Sequence, residues 1–258
     1  MSISEQIERL QQAKADFKTK FAEKGIDLGD KLISEYPNYI DAISDNGGTG
    51  TTLKKLINYT QSCRNMFRDN ENITDLTNYI EYNDTASAND MSYMFYKCFN
   101  LTTIPQLNTS NVTNMNSMFT NVENIKEIPR LDTSKVINMD NMFQNCYFLE
   151  KVDLSYFNCE DVSYMFNKCI SLKTIIIRGF GEYFSIKANS FTRCERLTGE
   201  VSNDNPNGLK DGYIYVPRNM VDTLKSADVW SDYATQIRAL EDYTIDGTIN
   251  GDLDESKI

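Results

Sequence analysis

The chain has 258 residues, 26 basic against 37 acidic, a net charge of −11 and no histidine. This is the composition of soluble globular material long enough for one elongated body with small appendages. It offers no Lys/Arg stripe to neutralise phosphates, which argues against nucleic acid as a partner, and no apolar run of bilayer-spanning length.

Residues 3–24 read as an amphipathic helix, started by Ser2 or Ser4 and stopped at Gly25. Ile3, Ile7, Leu10, Phe17 and Phe21 recur at steps of three, four and seven, with polar Lys14 in the remaining seam position. So narrow a stripe resembles a coiled-coil seam more than a core-facing helix. These six positions are therefore the expected homo-oligomer interface, dimeric or trimeric. A second short helix is predicted over 29–43, bent or split at Pro37. The Gly-rich stretch that follows lacks a Gly-Lys-Ser/Thr ending and a feeding strand, so 46–52 reads as a flexible linker rather than a phosphate loop.

From Leu53 a short phrase recurs: Met66-Phe67, Met94-Phe95, Met118-Phe119, Met142-Phe143, Met165-Phe166 and Ser190-Phe191. The four central phenylalanines are 24, 24 and 23 residues apart, and the outer steps are 28 and 25. A fixed period of this size predicts stacked supersecondary units. Before each pair, apolar residues at steps of three and four (Val112, Met115; Val136, Met139; Cys159, Val162) predict a short helical turn. After it comes an extended segment: Leu101, Ile104, Leu107; Ile125, Ile128, Leu131; Leu149, Val152, Leu154; Leu172, Ile175, Ile177. The expected fold class is thus α/β, a leucine-rich-repeat solenoid over 53–200 with a short strand and a short helical turn per 23–24-residue repeat. Cys98, Cys146, Cys169 and Cys194 each stand three residues after a repeat phenylalanine, a place held by Val122 in one copy. That interchange favours a reduced core ladder over a disulfide framework. The N-x-S/T sequons at Asn100, Asn108 and Asn111 read as accidents of Asn-rich turns.

Beyond Val201 the pattern changes. NDNPNGLKDG places Asn203, Asn205, Asn207 and Gly208 at the offsets of a calcium loop, but Ile214 stands where a bidentate glutamate is needed, so a multi-turn loop is expected. A strand over 212–217, a helix from Asn219 and the markers Trp230, Tyr233 and Ile237 make 201–240 the predicted C-terminal cap, and 241–258 a loose acidic tail.

The phrases LNTSNVTNMNSMF, LDTSKVINMDNMF and DLSYFNCEDVSYMFNKCISLKTI resemble BspA-like leucine-rich repeats over about Leu53 to Val201. The run from Ile214 to Ile237 is similar to the unit that often ends such arrays. Bacterial members are mostly secreted surface adhesins. Residues 1–45, SISEQIERLQQAKADFKTKFAEKGIDL followed by YPNYIDAI, are similar to an N-terminal module of bacteriophage tail, baseplate and fibre proteins, with conservative departures at Phe17, Lys20 and Phe21. The start MSISEQIERL lacks the apolar core of a signal peptide, which suits a particle component assembled in a cytoplasm better than an exported adhesin.

The expected function is therefore a non-enzymatic virion structural protein, a fibre or appendage. It would dock through 1–45 onto other virion proteins and turn its repeats toward a host-surface glycan or protein. A bacterial cell-surface adhesin is the alternative. Without histidine, and with no nucleophile elbow or phosphate-loop motif, no catalytic, metal or cofactor set is expected. The outward positions between the apolar anchors form the candidate binding face: Thr103, Glu127, Lys151, Asp153, Thr174, Ile176 and Arg178. Ile176 is apolar there, which fits either a binding contact or burial.

Overall fold

Around each Met–Phe pair the chain makes three overlapping four-residue turns. In the copy at Phe95 the amides of Met94, Tyr96 and Cys98 donate to the carbonyls of Met91, Tyr93 and Phe95. Tyr93 and Lys97 take left-handed conformations, with φ of 59° and 58°. The intervening amides of Met91, Tyr93, Phe95 and Lys97 point away from their own turns. They donate to Asn114, Asn116, Met118 and Thr120 of the next copy, all at 2.9 Å. The same two left-handed positions recur at Asn65 and Asp69, Ser117 and Asn121, Asn141 and Asn145, and Tyr164 and Lys168. Short polar side chains tolerate this region best, which accounts for the asparagines there.

The computed structural model describes residues 62–77, 80 and 82–258. Within them the expected leucine-rich-repeat solenoid, with its helical turn and strand in every unit, is corrected to a mixed α/β structure with a few short helices and two parallel sheets. Apolar steps of three and four are common to a helix and to a string of turns with a left-handed residue at every fourth place. Here the amides bond to the neighbouring copy rather than four residues back, so no helix forms before Met–Phe. Strands are equally sparse in the early copies. Pro105 and Pro129 each remove an amide from the extended segment, and the early copies carry isolated parallel bridges such as Asp75 with Thr103 and Glu127 with Lys151. The predicted N-terminal helix with Ile3, Ile7, Leu10, Lys14, Phe17 and Phe21, the helix at 29–43 and the linker at 46–52 lie outside the described residues.

Regular strands appear where the apolar step falls from three to two. These are β1 (Lys151–Leu154), β2 (Phe157–Val162), β3 (Thr174–Ile177) and β4 (Phe180–Ile186). Then follow α1 (Glu195–Thr198), β5 (Tyr213–Val216), α2 (Arg218–Ser226), α3 (Asp228–Ser231) and β6 (Ile237–Ala239). The larger sheet has the order β1-β3-β5-β6 and is parallel throughout, placing Val152, Ile175, Ile214 and Ile237 in one row. β2 and β4 form a second parallel pair. Gly212 leads into β5 where a Cβ would sit 2.9 Å from the backbone of Arg196, so only glycine lets the strand pass α1 so closely.

The core is a column of phenylalanine rings. Phe67, Phe95, Phe119, Phe143, Phe166 and Phe191 stack with centroids 5.3–5.7 Å apart and planes within 18° of parallel. Trp230 and Tyr233 close its end, with centroids 6.0 and 4.4 Å from Phe191, and the Trp230 indole donates to the Phe184 carbonyl. All six cysteines are buried and none forms a disulfide. The thiols of Cys98, Cys146 and Cys169 donate to the carbonyls of Phe67, Phe119 and Phe143 at 2.9–3.0 Å. Burial pushes the Cys159 thiol up to about 12 and raises Cys146, Cys169 and Cys194 as well. Native protein at pH 8 is therefore expected to give no prompt reaction with a thiol-specific disulfide reagent and to titrate all six thiols once unfolded. Prompt native reaction of even one would contradict this packing.

Candidate functional site

The candidate site grows from the segments that follow each apolar anchor. After Leu131 the phrase Asp132-Thr133-Ser134 turns the chain. Asp132 Oδ1 accepts from the amide and hydroxyl of Ser134 at 3.0 and 2.7 Å, and from the Ser155 hydroxyl of the next copy at 3.2 Å. Partial burial acts to raise the Asp132 carboxyl, but the hydrogen bonds from Ser134 and Ser155 and nearby Lys135 outweigh it and hold it below the usual aspartate range. A depressed folded value stabilises the fold above the unfolded value and loses that contribution as pH falls through the folded one. Asp132→Asn should thus cost stability at neutral pH, and the gap to wild type should close on acidification below the usual aspartate range, as followed by urea unfolding.

Arg178, just past β3, is almost wholly buried, its side chain 4 % exposed. Its guanidinium grips both oxygens of Asp153, at 2.9 and 2.8 Å. The remaining arm donates to the carbonyls of Ile249 and Gly251 at 2.8 and 3.0 Å. Arg130 reaches the same Asp153 at 3.1 Å from the preceding copy, and Lys151 pairs with Glu255 at 2.7 Å.

These contacts fasten the segment from Leu240 onward across the outer face of the larger sheet. An antiparallel bridge joins Thr244 to Leu253, and Leu253 and Leu240 bury against Ile176 and Tyr215. Glu241 accepts from the first amide of α2 at Arg218, meeting an unpaired helix N-terminus with a carboxylate. Where a loose tail was expected, the residues after Glu241 are tied to the sheet by side chains from three elements.

The seven predicted face residues consequently separate into three groups. Thr103 is exposed and bridges Asp75 in the early copies. Thr174, Ile176 and Arg178 are buried. Glu127, Lys151 and Asp153 come together on the wall of an open groove of about 910 Å³. Tyr82, Gln106, Arg130, Asp132, Ser155, Tyr156 and Asp252 line the same groove. Sequence reasoning missed these seven. The repeated Asp-Thr-Ser phrase was a usable signal for Asp132, whereas nothing local marks Asp252, which arrives from the far end of the chain.

The predicted multi-turn loop at 203–212 is organised by buried Asn205. Its amide nitrogen donates to the carbonyls of Glu200 and Leu209, and its oxygen accepts from the Leu209 amide. Among the described residues no group of three or more acidic or thiol side chains is arranged to hold a metal ion. What the groove offers is recognition chemistry: charged and amide groups held at set angles beside two tyrosines.

Residues 61–178 match a family profile described as "Mycoplasma protein of unknown function, DUF285". That span is somewhat under half of the chain and includes the copies from Phe67 to Phe166 and five of the six charged residues that line the groove. No curated protein matches the chain.

Proposed function

We propose that the chain is a non-enzymatic structural component of a bacteriophage particle, a fibre or appendage subunit that turns its grooved face toward a host surface. The observation that carries this reading is the likeness of residues 1–45 to the N-terminal module of phage tail, baseplate and fibre proteins. The groove fits the role. Its charged groups are largely committed to one another, Asp153 to Arg130 and Arg178, and Asp132 to Ser134 and Ser155. Groups so held can hydrogen-bond a ligand without moving, and none is set beside a partner as a nucleophile beside its base. Mass spectrometry of density-purified particles should recover the chain in fixed ratio to the major coat protein, with immunogold label on an appendage.

A bacterial surface adhesin is the second reading, and the likeness of the repeat phrases to BspA-like leucine-rich repeats supports it. Antibody labelling of intact uninfected cells, together with absence from purified particles, would select it.

A further inference from the structure

The groove next to the bound C-terminal segment has a chemistry specific enough to name a ligand class. Its acidic members outnumber its basic ones, yet most are already engaged. Asp153 is shared by two guanidinium groups, Asp132 by two serines, and Lys151 by Glu255. Glu127 and Asp252 remain exposed, and neither carboxylate makes a hydrogen bond or ion pair to a described residue. They share the groove with the exposed guanidinium of Arg130, about two-fifths accessible. A cationic peptide would meet that guanidinium, and an anionic ligand would meet the two carboxylates.

A neutral polyhydroxylated ligand suffers neither penalty. Each hydroxyl can donate to Glu127, Asp252 or the Gln106 side-chain oxygen and accept from Arg130; the Gln106 amide nitrogen is spent on the carbonyls of Arg130 and Leu107, at 2.6 and 3.3 Å, which orient that oxygen. Tyr82, half exposed, and Tyr156 supply flat apolar faces with a polar edge for the C–H side of a pyranose ring. The groove is open rather than enclosed, as suits an internal stretch of a chain molecule.

We propose that this groove binds a neutral oligosaccharide, with Glu127, Tyr82 and Asp252 in its lining and Asp252 held in place through the bonds of Arg178 to Ile249 and Gly251. This rests on the host-surface reading above and names its ligand. A failure of the two can be told apart, because a binding measurement on the groove does not depend on which particle or cell carries the chain.

The test uses the full chain on an array of neutral bacterial-surface oligosaccharides, followed by calorimetric titration of the best-retained sugar. Tyr82→Ala and Glu127→Gln should each weaken that sugar at least about tenfold, and Asp252→Asn should weaken it measurably. Melting temperatures should stay at the wild-type value, because all three side chains are exposed. Tyr183→Ala, on the exposed part of β4 outside the groove, should bind as wild type. Retention of no neutral sugar overturns the proposal. So does retention of an oligolysine peptide in place of sugar, or sugar binding that is indifferent to both Tyr82→Ala and Glu127→Gln.

Discussion

Phe119→Ala is expected to lower stability by about 3–5 kcal/mol, the range for truncating a fully buried aromatic side chain. Phe119 is 0 % exposed, and its ring lies 5.3 Å from that of Phe95 and 5.6 Å from that of Phe143. Truncation therefore opens a cavity and also removes two ring pairs, each contributing roughly 0.5–1.5 kcal/mol beyond the area buried. The neighbouring copies cannot close in to fill the space, because at least four backbone hydrogen bonds at each interface fix their separation. Phe119→Leu fills most of the volume and should cost a fraction of this. Phe148→Ala is the control: Phe148 is an aromatic of the same size that is 51 % exposed, and its loss should stay within about 0.5 kcal/mol. Urea midpoints at constant slope decide the matter. Equal costs for Phe119→Ala and Phe148→Ala would mean that the ring column is not the core.

The second large effect is expected at Arg178. Arg178→Met keeps the aliphatic stem but leaves the carbonyls of Ile249 and Gly251 without their donor and Asp153 with Arg130 alone. Breaking a buried pair by removing one partner costs about 3–5 kcal/mol, since the partner left behind remains desolvated. Arg178→Lys should rescue little, because one ammonium cannot span two carboxylate oxygens and two carbonyls in a plane. The expected readout is local as well as global: hydrogen exchange at 244–254 should rise far more than exchange in the copies around Phe119. The exposed pair of Arg68 with Asp69, at 3.2 Å with both side chains more than a third accessible, should by contrast be worth no more than about 1 kcal/mol. Unchanged exchange at 244–254 in Arg178→Met would show that the apolar contacts of Leu253 alone hold the segment.

What could be read in the sequence follows from which interactions are periodic. The stacking partners were legible because the phenylalanines return at a near-constant interval, and a ring needs its own kind above and below. The cysteine places were legible because valine replaces cysteine in one copy. The local backbone was not. Met91, Met94 and Cys98 fall at steps that suit a helix, and nothing in those letters shows that Tyr93 and Lys97 adopt positive φ. A tyrosine or lysine carries no mark of that conformation, although the asparagines at Asn121, Asn141 and Asn145 do hint at it. The part of Asp252 in the groove was hidden for a different reason. Arg178 and Lys151 are satisfied by groups 71 to 104 residues further along the chain, a separation at which no local pattern can survive. An outward-pointing isoleucine at position 176 was the one sign that something must cover the sheet, and Leu253 does so.

The ring column makes the molecule a ruler. At the ring column adjacent copies meet through main-chain bonds and contacts between like side chains, so there what one copy presents to the next is nearly what it receives. Removing residues 112–135, one copy from Val112 to the position before Val136, would bring equivalent faces together again and shorten the axis by about 5 Å, one spacing between hydrogen-bonded chains. Duplicating it would lengthen the axis by the same amount. The length of the ring column therefore changes in whole steps.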